Sequence, residues 1–470
     1  MSDKIQKYRF LCDKLPSHKQ RKLVLLTGAR QTGKTTLSKL KYSGLKYINL
    51  DAPENRELLK NIPSASWGRD VGGAVIDEAQ KEPAVFEKIK YAYDEEGITF
   101  SVILGSSQVL LMKKIRESLA GRVSIYELWP LLMSEIYWNA DAKGIQQPLV
   151  SRICCAKSLD KIFSDIPGVL MDKDNIPAQD AEDYMLKWGG MPALLPLSAE
   201  ERWKWLKDYE YTYLERDLAD LARLDDLSPF RKFQKLAALR SGNLLNYSEI
   251  ARDAAVSVDT ARRYLEYLRI SYQVILLQPY YKNITSSVVK TPKLYWLDIG
   301  LLRQLGGFSG DATGQIYETM VTGELIKWIK TAQENVEPYF YRTRSGLELD
   351  IILQTPSGAI GIEIKNRGDV GSGDIRALKE VGLAMGKDWI GGLVVYRGNE
   401  IKKIAEPGIW AVPSRRLFLL LLEGSWRRCQ VLGVRLEARG FRLKAGICAG
   451  GVLARRRAGT VTQRLKGIII

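Results

Sequence analysis

Residues 22–36 read Lys22-Leu-Val-Leu-Leu-Thr27-Gly28-Ala29-Arg30-Gln31-Thr32-Gly33-Lys34-Thr35-Thr36, and this stretch decides the fold. The apolar run Lys22–Thr27 has the length of a buried strand, and Lys34–Lys41 reads as a helix. The eight residues Gly28–Thr35 between them fit G-x-x-x-x-G-K-[ST] in full. Each part has a physical reason. The two glycines let the loop turn its backbone N–H groups inward, toward phosphate oxygens. Lys34 places a cation beside the outer phosphates, and Thr35 offers a hydroxyl to Mg²⁺. The following helix aims its positive N-terminus at the anion. The candidate nucleotide-binding residues are Gly28, Ala29, Arg30, Gln31, Thr32, Gly33, Lys34, Thr35 and Thr36, and the implied ligands are ATP and Mg²⁺.

Working outward, strand-like and helix-like segments alternate through the first 137 residues. Leu45–Leu50, Gly73–Asp77 and Thr99–Leu104 read as further strands, and Pro83–Tyr93 as a helix. That alternation predicts an α/β fold with a parallel sheet of P-loop NTPase type. The third strand ends in Asp77-Glu78. In such a sheet Asp77 lies beside Mg²⁺ and Glu78 polarises the attacking water; a capping pair for the next helix is the plainer alternative. The fourth strand ends at Leu104-Gly105-Ser106-Ser107. Strand carboxyl ends face the ligand, which makes Ser106 or Ser107 a candidate phosphate sensor, compatible with a helix cap. Arg122 is a candidate charge stabiliser within or between subunits, against a solvated loop arginine.

Composition narrows the classes. The chain has 470 residues, 46% hydrophobic and 26% charged, which is globular and of two to four domains' length. Its single histidine, His18, excludes a histidine base elsewhere. The five cysteines form no CxxC pair, and Met-Ser-Asp-Lys at the start has no apolar signal core, so a cytoplasmic chain with reduced thiols and no membrane partner is expected. The net charge of +16 is unevenly spread. Residues 414–470 carry 13 Lys and Arg against two acids, and the remainder carries 57 against 52. The body is therefore only mildly basic. The segment 423–470 lacks helical or strand period, and reads either as an extension with no evolved fold or as a basic arm for nucleic acid.

Residues 138–227 read as a helical extension. Within 228–300, Asn246–Leu268 reads as two helices about a tight turn, capped by Ser248 and Ser257. Val258, Ala261, Leu265 and Leu268 share one face, and Arg262, Arg263 and Arg269 are candidate DNA contacts. Two β-like runs after them, Gln273–Pro279 and Val288–Trp296, would form a wing. Within 301–422, Asp350 ends one strand and Glu363 and Lys365 share a face of the next, with Glu318 upstream on a helix. This D…E-x-K spacing is that of the PD-(D/E)XK nuclease-like fold. Two carboxylates and a lysine suit metal-assisted phosphodiester chemistry, or a structural ion-pair network.

Together TGARQTGKTT, VIDEAQ, ILGSSQ, ESLAGRV, GGMPALL, YLERDL, GNLLNYSEIARDA, KTPKLYWLDIGL and IEIK resemble the prokaryotic AAA-family ATPases that carry a C-terminal domain of unknown function. The resemblance spans roughly residues 5–420. It implies an N-terminal ATPase of AAA type, with Lys34 and Thr35 on nucleotide and metal, Asp77 and Glu78 on Mg²⁺ and water, and a nuclease-like C-terminal domain. The expectation is an ATP hydrolase whose modules act on DNA, with homo-oligomers as further partners. The alternative is a nucleotide-gated interaction switch without nucleic-acid chemistry. Since residues 423–470 lack a periodic apolar face, their removal is expected to leave the melting temperature within about 2 °C, less than 1 kcal/mol produces in a domain of this kind; a thermal melt checks this.

Overall fold

Five strands, β1 (Lys22–Thr27), β2 (Lys46–Asn49), β3 (Ala74–Asp77), β4 (Phe100–Leu104) and β5 (Val123–Glu127), form a parallel sheet in the order β2-β3-β4-β1-β5. The chain is seen in a computed structural model that describes residues 7–105, 119–138, 147–211, 227–281 and 290–419. Ser106, Ser107 and the Arg-rich segment 423–470 lie outside the described residues. The alternation of side chains along β1 builds two cores. Leu23 and Leu25 pack with Ile76, Phe86 and Ile89, while Val24 and Leu26 pack with Leu37, Val102 and Leu104. A helix therefore covers each face: α1 (Lys34–Lys41) on one and α2 (Ala84–Asp94) on the other. Because the strands are parallel, the loop after β1 and the end of β3 open on the same edge of the sheet.

A connecting helix α3 (Met133–Tyr137) leads on to the helices α4 (Asp172–Trp188) and α5 (Ala199–Tyr209). Then come α6 (Ser228–Leu239), α7 (Tyr247–Ala254), α8 (Val258–Ile270), α9 (Ile299–Gly306) and α10 (Gly314–Ala332). A mixed nine-stranded sheet runs through this region in the order β13-β14-β12-β11-β10-β9-β7-β8-β6. Its strands are β6 (Asn243–Leu244), β7 (Val274–Pro279), β8 (Lys293–Trp296), β9 (Glu337–Arg342), β10 (Glu348–Thr355), β11 (Gly358–Lys365), β12 (Trp389–Tyr396), β13 (Lys402–Ala405) and β14 (Ile409–Pro413). Strands from both sides of residue 300 thus share one sheet. The join is narrow: β7 meets β9 only at Gln278–Tyr339 and Pro279–Phe340.

The turn after α4 is where three distant segments meet. Gly190 donates its N–H to Asp298 Oδ2 at 2.8 Å and accepts from Leu131 N–H at 2.7 Å. A β-carbon on Gly190 would stand 2.3 Å from the Leu131 carbonyl oxygen, so only glycine admits this approach. Asp298 also caps α9 through Leu301 N–H at 3.1 Å. At the far end, Arg415 and Arg416 are buried in the last described helix, α11 (Ser414–Phe418). Arg415 pairs with Glu182 and Asn175, and Arg416 donates to the carbonyls of Gly168 and Pro167. These two arginines serve the fold rather than a solvated basic arm. Gly190→Val is expected to cost about 1–3 kcal/mol through overpacking, measured by chemical denaturation of the full chain.

Candidate nucleotide site and a second acid–lysine cluster

Gly28 opens the loop with φ 147°, and a β-carbon there would stand 2.1 Å from the Leu128 carbonyl oxygen. The loop then passes through left-handed backbone at Gln31 (φ 63°) and Gly33 (φ 93°) and enters α1 at Lys34. The Lys34 ammonium is nearly buried and donates to the carbonyls of Gly28 and Ala29 at 2.9 and 2.7 Å. It thus lies across the inside of the loop. Thr35 Oγ1 donates to Asp77 Oδ2 at 2.6 Å, and Tyr47 OH donates to the same oxygen at 2.7 Å. Burial and the Asp77 carboxylate push the Tyr47 hydroxyl's pKa up, so it stays a donor. Glu78 follows in a left-handed conformation (φ 53°), its N–H on Asp77 Oδ1 and its carboxylate accepting from Gln80. A hydroxyl and a carboxylate in contact at the mouth of this loop are hard oxygen donors of the kind Mg²⁺ takes.

Three distant side chains hold the loop from behind. Arg9 donates to Thr32 O at 2.7 Å and Trp129 O at 2.6 Å, and pairs with the buried Glu135 at 3.0 Å. Tyr209, ending α5, donates to Arg30 O at 3.2 Å. Tyr272, just before β7, donates to Thr27 Oγ1 and Glu127 Oε1, both at 3.3 Å. Its ring meets Trp129 edge-on at 5.1 Å, and Ala29, Trp129, Tyr272 and Leu297 form one apolar cluster. Burial raises the Glu127 carboxyl's pKa, against Lys330 and Tyr272. Sequence reading does not find these contacts, because each joins residues more than 20 positions apart.

Arg122 needs correction as a charge stabiliser for its own loop. It stands just before β5, whose Val123 is in register with Leu23 at the start of β1. The loop leaves the other end of β1, about 16 Å away at ~3.3 Å per strand residue. Arg122 instead pairs with Asp94 at 2.6 Å on the surface. The cap of α7 also differs from expectation. Asn246 accepts from Glu249 N–H, while Ser248 lies inside the helix; Ser257 caps α8 through Thr260 N–H. The arginines of α8 are engaged on their own helix: Arg262 with Asp259, Arg263 with Thr260, Arg269 with Glu266.

The C-terminal candidates come together. The β10–β11 register pairs Ile351 with Ile362, which sets Asp350 beside Glu363 at the next position. A bulge between Leu349 and Ile352 turns β10 at Asp350, the kind of irregularity that re-aims a side chain. Asp350 Oδ2 accepts from Ile364 N–H at 2.8 Å, and Lys365 pairs with Glu363 at 2.6 Å. Burial first, then Glu318 and Glu363, lift the Asp350 carboxyl's pKa well above its usual range. Burial likewise raises that of Glu363, against Lys365. Three members escape sequence reasoning. Lys293 lies 3.2 Å from Glu318 and 2.5 Å from Glu348, and Tyr295 donates to Glu318 at 2.6 Å. The period-two Lys293-Leu-Tyr295 within a strand was the available signal. Among the described residues no group of three or more His, Cys, Asp or Glu has the spacing of a metal site, and no helix is long and apolar enough to cross a membrane.

A loop of this form after an interior strand of a parallel sheet defines a P-loop protein. The AAA domain family (AAA_14) matches residues 20–137, and the domains of unknown function DUF8612 and DUF4143 match 178–312 and 313–417. The uncharacterized protein Rv2008c of Mycobacterium tuberculosis is 30% identical over 353 residues, covering 73% of this chain and 70% of that one. The chain belongs to this family, in which an AAA domain of P-loop type is joined to a DUF4143 domain. A protein named cytidylate kinase from Caldicellulosiruptor saccharolyticus is 28% identical over 242 residues, 47% of this chain and 88% of that one. The structure of a STAND protein with a tetratricopeptide-repeat sensor from Pyrococcus horikoshii aligns with 67% of this chain and 45% of its own, at 12% identity and a TM-score of 0.23.

Arg9→Met would leave Glu135 buried and unpaired and free the Thr32 carbonyl. A loss of about 3–5 kcal/mol is expected. Burial already raises the Glu135 pKa, with Arg9 opposing. The variant's deficit should therefore shrink as pH falls and the carboxyl takes up a proton; denaturation at several pH values reads both.

Proposed function

We propose that the chain binds ATP with Mg²⁺ at Gly28–Thr36, hydrolyses it, and passes the nucleotide state to its C-terminal half. The observation that carries this reading is the bond between Thr35 and Asp77 at the mouth of a loop already shaped around Lys34. Backbone N–H groups of the loop and the Lys34 ammonium would bind the phosphates. Thr35 and Asp77 would hold Mg²⁺, which when bound neutralises charge on the phosphate oxygens. Glu78, beside Asp77 and half-exposed, would orient a water and accept its proton. Ser106 or Ser107 is kept as the polar sensor. The Thr35 hydroxyl can offer a lone pair to Mg²⁺ while its O–H still donates to Asp77, so the end of β3 and the start of α1 would both sense the bound nucleotide. The contacts of Arg9, Tyr209 and Tyr272 behind the loop give that response a route outward.

For the rest of the chain we read α7 and α8 with β6, β7 and β8 as a winged helix-turn-helix, and the β10–β11 acid–lysine set as a PD-(D/E)XK nuclease-like site, together acting on DNA. The division is 1–137 for the ATPase domain, 138–227 for its helical extension, 228–300 for the winged helix and 301–422 for the nuclease-like domain. A second reading, a nucleotide-gated switch without nucleic-acid chemistry, is favoured by the self-paired arginines of α8. A salt-dependent mobility shift of duplex DNA by the chain ending at Leu422 separates the two.

Lys34→Ala is expected to abolish tight ATP binding. Glu78→Gln should retain binding and lower turnover by about 10²–10⁴-fold, the usual worth of a positioned base. Inorganic phosphate release, with and without added CMP, reads the second variant. Phosphate release at the wild-type rate would remove Glu78 from its role, and transfer to CMP in place of water would move the chain toward the kinase that its relative is named for.

A further inference from the structure

Tyr47 donates to Asp77 from outside the phosphate-loop motif. Thr35 belongs to the loop and the Glu78 N–H follows Asp77 in the chain, but Tyr47 stands on β2, the edge strand beside β3. The register sets Tyr47 opposite Val75 and Asn49 opposite Asp77. Side chains two apart share a face, so Tyr47 lies on the Asp77 face of the sheet, diagonally one step back. Aromatic and other long side chains bridge that diagonal, and the phenol places its OH 2.7 Å from Asp77 Oδ2. Its ring is held in place. It packs on the core cluster of Leu37 and Val75, and the Lys39 ammonium of α1 stands 3.9 Å from the ring centre.

Asp77 is 5% exposed, and Thr35 Oγ1, Tyr47 OH and Glu78 N–H donate to it at 2.6, 2.7 and 2.9 Å. These donors are two hydroxyls and an amide, and none is a cation. Both hydroxyls share Oδ2, while the amide takes Oδ1. A carboxylate offers about four lone-pair sites over its two oxygens, so the two hydroxyls fill Oδ2 and fix the rotation of the group. That rotation decides where the Thr35 hydrogen points. With its O–H directed at Oδ2, the Thr35 oxygen has only lone pairs left to present at the mouth of the loop. Tyr47 is half-buried, so water is open to its hydroxyl as another partner. The bond therefore does more for the carboxylate than for the phenol.

We propose that Tyr47 is a positioning residue for the metal side of the nucleotide site: it locks Asp77 in the rotation that keeps a lone pair of Thr35 open to Mg²⁺. It acts through Asp77 and Thr35, and the inference rests on the nucleotide reading of Gly28–Thr36 given above. Without the phenol OH, Oδ2 regains a free lone pair and the carboxylate is free to turn away from Thr35. The threonine O–H then points into the mouth of the loop, where a cation is repelled. The phosphate side is built separately. Its shape comes from the backbone at Gly28, Gln31 and Gly33 and from Lys34 on the carbonyls of Gly28 and Ala29. Loss of the Tyr47 hydroxyl therefore shows in the metal's contribution to binding and not in the nucleotide's own.

The test is calorimetric titration of the full chain with AMP-PNP, an ATP analogue that is not hydrolysed, once in EDTA and once in excess Mg²⁺. The ratio of the two affinities is the metal's contribution. Tyr47→Phe keeps the ring on the core and beneath Lys39 and removes only the hydroxyl. Its affinity in EDTA should match the wild type. Its metal contribution should fall about tenfold or more, the usual cost of losing a partner that orients a metal ligand. A merely structural role would lower both affinities alike and leave their ratio unchanged. A Tyr47→Phe ratio equal to that of the wild type overturns the proposal, whether both affinities hold or both fall, and leaves the nucleotide reading standing. A wild type that gains nothing from Mg²⁺, or whose binding survives Lys34→Ala, sinks the nucleotide reading and this inference with it.

Discussion

The phosphate loop of this chain is held from behind by side chains that belong to three other parts of the molecule. Arg9 from the N-terminal arm, Tyr209 from α5 and Tyr272 from the segment before β7 each bond to the loop or to the strand end that carries it. Gly28 lies against the Leu128 carbonyl with no room for a β-carbon. A loop gripped this way cannot change shape without pulling on its neighbours. Interiors packed at this density respond as discrete rearrangements rather than by smooth yielding. The nucleotide site and the middle of the chain are thus joined by direct side-chain contacts, two of them from the DUF8612 part.

The C-terminal cluster follows a different logic. Its members are brought together by strand register: β10 against β11 sets Asp350 beside Glu363, and the bulge in β10 aims Asp350 at the Ile364 N–H. Burial then makes the charges expensive, and the carboxylates raise one another's pKa. Such an arrangement costs stability, and proteins keep costly buried charge mainly where it does a job. The same cluster is completed from outside its own domain, since Lys293 and Tyr295 arrive on β8.

Much of the fold was legible because local pattern carried it. The apolar run of β1, the glycine loop and the start of α1 lie in one window of twenty residues, and β3 and β4 are buried on both faces and read as plain apolar runs. β5 was not legible: it is an edge strand, three of its five residues are only partly buried and one is exposed, and its pattern is blurred. The distance of Arg122 from its own chain's loop was hidden for a related reason. Without β5, nothing in the sequence says which end of the sheet it occupies. The pairing of Asp350, Glu363 and Lys365 was readable from strand alternation alone. Lys293 was not, because a lysine at a strand position reads as solvated until the acids that surround it are located. The contacts of Tyr209 and Tyr272 span 179 and 245 residues, beyond the reach of any periodicity.

The central claim is that nucleotide at Gly28–Thr36 is felt by the hairpin that carries Tyr272 and Lys293. Hydrogen exchange of the full chain, with and without ATP and Mg²⁺, tests it most directly. The account predicts changed protection in the peptides covering residues 270–279 and 290–298 as well as in those covering 27–36 and 74–80. Protection that changes only around the loop and the end of β3, with the hairpin unaffected, would contradict it.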